Sequence, residues 1–456
     1  MRWSTLEGQR VAILGYGHEG QAAYRAFRKR FPLQPLTLLC AEAEADSARA
    51  LDDPRLHIDT QPLTEMSLRQ TDIIIKSPGI SPYLAPIPEA IAAGLHFTSG
   101  SALWFAEHHE ANTIAITGTK GKSTTAALTA HLLRAGGVRT ALAGNIGLPL
   151  LDLPEDKSVA AYVIELSSFQ TQDFAGTPRV ALITNLIEEH LDWHGSAAQY
   201  VSDKLRILGD RHTTVAVLNS GDILLRGLAP SANDRWFGQT TGWHVADDAI
   251  CLGAQRVLPR AALPLPGQHN ALNLCGALTA IDAAGFDALA LAAHAKTFRP
   301  LPHRLQTLGT RDGITYINDS IATTPQAAIA ALEHVRDQAV AILVGGHDRG
   351  LDWHAFADHV AQHPPRAIVT MGANGPRIAD LLSASGSAHL VHRTEQLADA
   401  FRIARTLLGS AGVVLLSPGA PSFGPFRDYV ARGRAFAELA GFDSSAIAAI
   451  DGLGIA

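Results

Sequence analysis

A strand that hands over to a helix through a glycine-rich turn constrains this chain more than any other stretch. Thr113 to Ile116 is an apolar run fit for a buried strand, Gly118-Thr119-Lys120-Gly121-Lys122-Ser123-Thr124 follows, and the residues from Ala126 have helical spacing. Such a turn aims successive backbone N–H groups into a concave nest at the positive end of a helix, so it binds phosphate. Lys122 is placed to reach the outer phosphates of a nucleotide, and a hydroxyl of Ser123 or Thr124 to ligate Mg2+. The longer form of this loop requires glycine at position 116, where isoleucine stands, so the turn is the short GxxGKS form. A solvated turn rich in Gly and Lys would not explain the order strand, two glycines, Lys-Ser-Thr, helix.

The length of 456 residues suits roughly three domains, each large enough for its own core. With 47% hydrophobic and 18% charged residues the composition is that of an ordinary soluble globular chain. A net charge of −6 with mixed signs leaves no basic footprint for nucleic acid, so anionic ligands must be met by local sites. Cys40, Cys251 and Cys275 are too few and too widely spaced for a disulfide framework or a metal cluster, which fits a reducing cytoplasm. The segment Met1 to Gly8 lacks the apolar core of a signal peptide, and no run approaches the ~20 apolar residues of a membrane span.

Near the N-terminus, Arg10 to Leu14 reads as a strand, Gly15-Tyr16-Gly17-His18-Glu19-Gly20 as GxGxxG, and the stretch to Phe27 as a helix. That fingerprint alone also suits a dinucleotide oxidoreductase, with Glu42 available for a ribose, but no catalytic pair for hydride transfer follows. The strand Thr71 to Lys76 ends in Ser77-Pro78-Gly79, a second loop where open α/β sheets bind ligands. Residues 1–100 are therefore expected to form a small α/β domain that holds a nucleotide diphosphate passively.

The next domain is expected over 101–299. Its turn Gly144-Asn145-Ile146-Gly147 follows an apolar strand, and Asn145 is suited to donate to an anionic ligand. Tyr162 to Gln170 puts Glu165 inside a strand otherwise fit for burial. An unpaired buried carboxylate costs several kcal/mol, so a metal or a basic partner is expected, a structural salt bridge being the plainer form. Asn185 to Asp192 repeats the device, a strand running into a polar cluster that contains His190. A lone histidine is more often structural than a ligand, but Glu165, His190 and the phosphate loop all fall at strand ends of one expected sheet. Lys204 lies on a helix and would ordinarily be a solvated lysine. Asn270 and Asn273 lie one helical turn apart, suited to a purine edge or to capping. Pro-rich Arg299 to Arg304 reads as a linker into a domain over 300–456, where apolar strands ending at Ser320, Gly345, Gly372 and Ser417 alternate with helical stretches, the pattern of a doubly wound sheet.

Taken together in this order, Gly118 to Thr124, Gly144 to Pro149, Glu165 to Gln170, Glu189 to Asp192, Lys204 to Ile207, Gly267 to Asn270, Pro302 to Arg304, Asn318 to Ser320 and Leu416 to Pro418 closely resemble the Mur ligase family, and within it the branch that adds glutamate. The resemblance spans the chain. It implies an α/β protein of three domains: a Rossmann-like domain (1–100) for UDP, a central P-loop ATPase domain with a mostly parallel sheet (101–299), and a Rossmann-like doubly wound domain (300–456) for the amino acid. It also implies an ATP-dependent ligase of cytoplasmic peptidoglycan precursor synthesis, joining glutamate to UDP-N-acetylmuramoyl-L-alanine through an acyl phosphate. Mapped by motif, Gly118, Thr119, Lys120, Gly121, Lys122, Ser123 and Thr124 cradle ATP, with Asn270, Asn273 and Arg304 on its nucleotide side and Asp319 on its ribose. Ser123, Glu165, His190 and Lys204 surround two Mg2+ ions, Lys204 as its carbamate. Lys122, Lys204, His190 and Glu165 are the implied catalytic set. Gly17, His18, Glu19, Ser77, Pro78, Gly79 and Asn145 match the UDP-substrate side, and Thr323, Arg349, Ser422 and Tyr429 the glutamate side. The implied partners are these two substrates alone, bound by a monomer without nucleic acid or membrane insertion.

Three departures gather in the glutamate corner. The branch that uses D-glutamate carries Asn-Asp-Ser-Lys-Ala-Thr where this chain has Ile321, Gly-Gly-Asp-Gly-Lys where it has Gly345-Gly346-His347-Asp348-Arg349, and Phe where it has Tyr429. Lysine to isoleucine deletes a cation, and lysine to arginine replaces a point charge by a planar fork. The expectation is L-glutamate, with D-glutamate and a folylpolyglutamate synthetase-like reaction as the alternatives. Cys40-Ala41-Glu42 also stands where the family grips uracil with an acidic-Thr-Arg segment.

Overall fold

Short apolar runs become strands here because helices cover both faces of a parallel sheet. The computed structural model describes residues 1–265, 267–447, 450 and 452–456. Val11–Leu14 (β1), Leu36–Leu39 (β2), Leu56–Asp59 (β3), Ile73–Lys76 (β4) and His96–Thr98 (β5) form a five-stranded parallel sheet in the order β3-β2-β1-β4-β5. Alternate residues of β1 enter opposite apolar clusters, Val11 and Ile13 with Phe27 and Leu103, Ala12 and Leu14 with Leu68 and Ile87. The helix His18–Arg30 starts so close to β1 that a Cβ on Gly20 would stand 2.0 Å from the carbonyl oxygen of Gly15, so the last glycine of GxGxxG admits no side chain.

Thr113–Thr117 (β6), Thr140–Gly144 (β7), Ala161–Glu165 (β8), Val180–Ile183 (β9), Val215–Asn219 (β10) and Asp234–Phe237 (β11) build the second sheet, parallel in the order β11-β10-β9-β6-β8-β7. Its central strand β6 is buried throughout and feeds the phosphate loop. The helices Lys122–Ala135 and Gln268–Ala283 pack against one another beside it. A small antiparallel meander of Trp243–Ala246 (β12), Ala249–Leu252 (β13) and Gln255–Pro259 (β14) had no counterpart in the sequence reading.

The remaining sheet comprises Gln306–Arg311 (β15), Ile314–Asn318 (β16), Val340–Val344 (β17), Ala367–Thr370 (β18), Val391–Arg393 (β19) and Gly412–Leu416 (β20), in the order β15-β16-β20-β17-β18-β19. All pairs are parallel except the edge hairpin β15-β16. Apolar clusters cover its two faces, one around Phe356 and Ile342, the other around Phe401 and Leu343. The mixed α/β architecture with mostly parallel sheets is the expected one.

Two compact units result, Met1–Phe298 together with Gly452–Ala456, and Arg299–Asp451. The last residues depart from the expected 300–456 span. Gly454–Ile455 (β21) pairs antiparallel with β7, and Arg134 fixes this tail by donating to the carbonyl oxygens of Gly452 (2.5 Å) and Gly454 (2.8 Å). The physical reason is an open edge: β7 has a free ladder side that two residues suffice to cover. Among the described residues no helix is long and apolar enough to cross a membrane.

Candidate active site

The phosphate loop is shaped by side chains reaching in from the next strand. The Thr119 and Lys120 amides donate to the carbonyl and side-chain oxygens of Asn185 at 2.9 Å each, and the Thr184 hydroxyl donates to the carbonyl oxygen of Lys120 at 2.6 Å. Gly121 caps the helix Lys122–Ala135 with φ of 85°, where a Cβ would stand 2.5 Å from Oδ1 of Asn273. Glycine is therefore required twice over, for its backbone angle and for the approach of Asn273. Asn273 and Asn270 are both buried and joined by a 3.3 Å hydrogen bond, and the N-cap of their helix is Gly267. Lys122 curls back, its ammonium donating to the carbonyl oxygen of Thr119 at 2.9 Å, and Lys120 pairs with Glu189.

Around this loop stand the expected metal-side groups. Glu165 ends β8 fully buried; one carboxylate oxygen accepts from the Asn145 amide at 2.8 Å, and the other has no hydrogen-bond partner among the described residues. The plainer salt-bridge form is not what the structure holds, since an amide rather than a cation meets this carboxylate. Lys204, 1% exposed, donates from Nζ to the carbonyl oxygen of Gly118 at 2.8 Å, beneath the loop rather than in solvent. Burial, then the charge of Lys122, hold its pKa well below the usual lysine range, against the opposing pull of Glu189 and Glu165. His190 adopts the left-handed conformation with φ of 55°, and its ring lies 4.9 Å from that of Phe169. Desolvation, with Lys122 and Lys204, lowers its pKa although Glu189 raises it. Lys122, Glu165, His190 and Lys204 thus share one electrostatic neighbourhood. A buried carboxylate oxygen without a partner beside a hydroxyl-bearing phosphate loop fits a hard divalent cation.

All seven residues expected on the UDP side, Gly17, His18, Glu19, Ser77, Pro78, Gly79 and Asn145, line one cavity of about 920 Å3 within the first unit. Cys40 and Ala41 line it too, together with Phe169 and Gln170. Glu19 accepts from the Gln170 amide at 2.8 Å, and burial raises its carboxyl to about 7.

Several supports were not visible as single motifs. The hydroxyl of Tyr83 donates to Asp203 at 2.7 Å, and Asp203 also meets Nδ1 of His194 at 2.7 Å, both members of that pair being fully buried. The buried ammonium of Lys76 pairs with Asp173 at 2.8 Å, and the Trp193 indole donates to the carbonyl oxygen of Gly79 at 3.0 Å. The only signal for them was a charged residue inside an apolar run at Lys76 and a carboxylate next to Lys204.

In the second unit, the loops after β16, β17 and β20 are tied together at the C-terminal ends of adjacent strands. The Gly345 amide donates to the carbonyl oxygen of Pro418 at 2.7 Å, the His347 amide to that of Pro421 at 2.8 Å, and the Asp319 amide to that of Leu416 at 2.8 Å. Thr323, Arg349 and Ser422 ride on these three loops, and Tyr429 opens the helix Tyr429–Leu439 that follows the third. Arg349 is exposed, Ser422 buried, and Ile321 half-buried. Asp319 accepts from the Ser417 hydroxyl at 2.7 Å and the Leu305 amide at 3.1 Å, and burial raises it to about 6. Arg304 is half-buried, and its Nε has no hydrogen-bond partner among the described residues. The fully buried Arg432 pins the same corner, donating to Ser320 and to the carbonyl oxygen of Ala420, while burial lowers its pKa to about 9.

Residues 116–281 match the Mur ligase middle domain, and residues 303–419 the Mur ligase glutamate ligase domain. The chain is 54% identical, over the whole of both chains, to a UDP-N-acetylmuramoyl-L-alanine--L-glutamate ligase of Xanthomonas axonopodis pv. citri. Proteins of the same name from Xylella fastidiosa strain Temecula1 and Salinispora tropica are 52% and 38% identical, the latter over 96% of this chain and 98% of its own. Among solved structures, the UDP-N-acetylmuramate-alanine ligase of Thermotoga maritima superposes with a TM-score of 0.62 at 21% identity, over 95% of this chain and 99% of that one, a likeness of fold.

Proposed function

Since the chain belongs to the Mur ligase family, an ATP-dependent, amide-bond-forming ligase of cell-wall synthesis, we propose that it joins L-glutamate to UDP-N-acetylmuramoyl-L-alanine in the cytoplasm, acting as a monomer. What carries the chemical half of this reading is the convergence of Lys122, Glu165, His190 and Lys204 around one phosphate loop. The substrate carboxylate attacks the γ-phosphorus of ATP, ADP leaves, and the amino group of glutamate displaces phosphate from the acyl phosphate. Phosphoryl transfer asks the protein mainly for position and charge. Lys122 and the loop amides neutralise the transferred group, and Gly121 lets Asn273 approach the nucleotide side. Ser123, Glu165, His190 and carbamylated Lys204 would hold magnesium, two ions in all, whose chemistry is to withdraw charge from phosphate oxygens. Carbamylation gives sense to a buried lysine that donates to a neutral carbonyl, because it turns a cation into a ligand.

By position, residues 1–100 hold the UDP-linked substrate in the cavity of Glu19 and Asn145, residues 101–299 hold ATP, and the unit from Arg299 takes the amino acid, with Arg304 and Asp319 serving the nucleotide. The relatives named for L-glutamate support that enantiomer. So does the charge pattern, Ile321 in place of one cation and the exposed fork of Arg349 in place of another. With the attacking nitrogen fixed, inversion at Cα swings the α-carboxylate and side chain to different walls, and Arg349, Thr323, Ser422 and Tyr429 are the groups that read them. Each misplaced charged contact is worth about 1.5–3 kcal/mol, so the preference should reach roughly a hundredfold. The test is kcat/KM for both enantiomers with the nucleotide substrate saturating. Preference for D-glutamate overturns the reading, and Ile321→Lys with Arg349→Lys should move the ratio towards D-glutamate.

A further inference from the structure

Far along the sequence from the phosphate loop, two helices of the second unit bring three ligand-type side chains to one point. Glu333 is the penultimate residue of the helix Pro325–His334; His359 lies in the last turn of the helix His354–Gln362, and His363 follows as its C-cap, one turn on. A ligand atom from each lies within 4.8 Å of the others. Nε2 of His359 stands 3.5 Å from Oε1 of Glu333, and the two imidazoles lie face to face with centroids 5.1 Å apart. The helix backbones are fixed beneath them by Ala328, Ala331, Leu332, Phe356, Ala357 and Val360 of one apolar cluster. The three side chains are therefore held at the surface from a packed base.

A simple ion pair accounts for only part of this. A protonated His359 beside Glu333 gains nothing from a second imidazole stacked on it, and an i, i+4 histidine pair with a carboxylate is a chelating arrangement. Donor atoms of a tetrahedral site with bonds of 2.0–2.1 Å are separated by about 3.3 Å, close to the separation already present between His359 and Glu333. His363 is exposed, and a change of side-chain rotamer would bring its ring inward by the remainder. The competing charge is Arg336, whose guanidinium stands 3.9 Å from the other oxygen of Glu333 and the same distance from Asp337.

We propose that Glu333, His359 and His363 form a surface site for a borderline transition-metal cation, zinc by donor type, with water completing the shell. Two imidazoles and one carboxylate disfavour Mg2+, which demands oxygen ligands, so this site and the phosphate-loop site select different ions. Bound there, the ion ties together the C-terminal ends of two helices whose N-terminal ends follow Thr323 and the loop carrying Arg349. Its effect is to stabilise the second unit by mass action.

The experiment uses the full chain, treated with chelator and returned to saturating Mg2+, then titrated with Co2+ and Zn2+. Expected are one equivalent bound, a visible absorption band of low-symmetry Co2+, and a higher unfolding temperature with Zn2+. His363→Ala and Glu333→Gln should each weaken binding roughly tenfold or more while leaving the ligase activity measured with Mg2+ alone unchanged, and His359→Ala with His363→Ala should remove the equivalent. No binding at micromolar concentrations of either ion overturns the proposal. So does an equivalent that survives unchanged in folded His363→Ala and in the double variant, since it would belong to another site.

Discussion

Lys122 and Lys204 serve the same loop in different ways, one as a cation and the other as a carbamate. Lys122→Ala should fold normally yet lose about a hundredfold or more in kcat, because one half-buried cation matters little to packing but neutralises charge throughout transfer. Steady-state phosphate release alongside a thermal melt separates the two effects. Lys204→Ala should be nearly inactive, and short carboxylic acids should restore part of the rate by standing in for the carbamate; a fully active variant would return Lys204 to an ordinary lysine. Glu19 gives a pH signature that needs no substrate. Its carboxyl is raised to about 7 in the fold against 4.5 in the unfolded chain, so the native state binds the extra proton between those values. The contribution of Glu19 to stability then falls as pH rises from about 4.5 through 7, while histidines lowered by burial, His194 and His303 among them, act in the opposite sense. The test is therefore the difference between wild type and Glu19→Gln across a denaturation series, which should change with that sign over this window.

Helices and loops are the scale at which the sequence was least legible. The strands that feed the site loops, β1, β4, β6 and β8 among them, announced themselves as apolar runs closed by glycine or a polar cluster, and the residues expected on the UDP side meet in one cavity for that reason. Contacts between distant elements left no such trace. Tyr83 and Asp203 are 120 positions apart, and Lys76 and Asp173 are joined across a similar separation, so only the fold brings them together. The strands β14, β15 and β21 were not read because short edge or meander strands exposed on one side lack a continuous apolar run, and β3, β5, β11 and β19 are short and broken by polar residues. The Tyr83 contact is testable at this scale. Tyr83→Phe should cost about 1–2 kcal/mol in urea unfolding, since it removes one donor from a buried carboxylate that keeps only Gln199 and His194 as its other close side-chain partners among the described residues. It should also raise KM for the nucleotide substrate more than it lowers kcat, because Asp203 supports the helix next to the loop of Gly79 rather than the reacting groups.

For the whole molecule, connectivity is the feature to probe. The segment 299–451 is inserted into a unit that resumes at Gly452, so the first unit is completed by residues from both ends of the chain. Deleting Gly452 to Ala456 removes the β21 ladder and both Arg134 carbonyl contacts. The deletion should lower the melting temperature of the first unit by several degrees and expose β7 to proteolysis, while protection of amides in the sheet β15 to β20 stays unchanged in hydrogen exchange. An unchanged melting temperature would mean that the pairing contributes nothing.

That late pairing also sets a timetable for biosynthesis. A ribosome delivers β7 early, but the strand that covers its outer edge emerges only after everything between them, the inserted segment included, has been made. At about 5–20 residues per second the edge waits ~15–60 s with its amides and carbonyls unpaired. Throughout that interval the nascent chain carries an open template for a neighbouring polypeptide on the same message, and its yield should depend on how sparsely ribosomes are loaded.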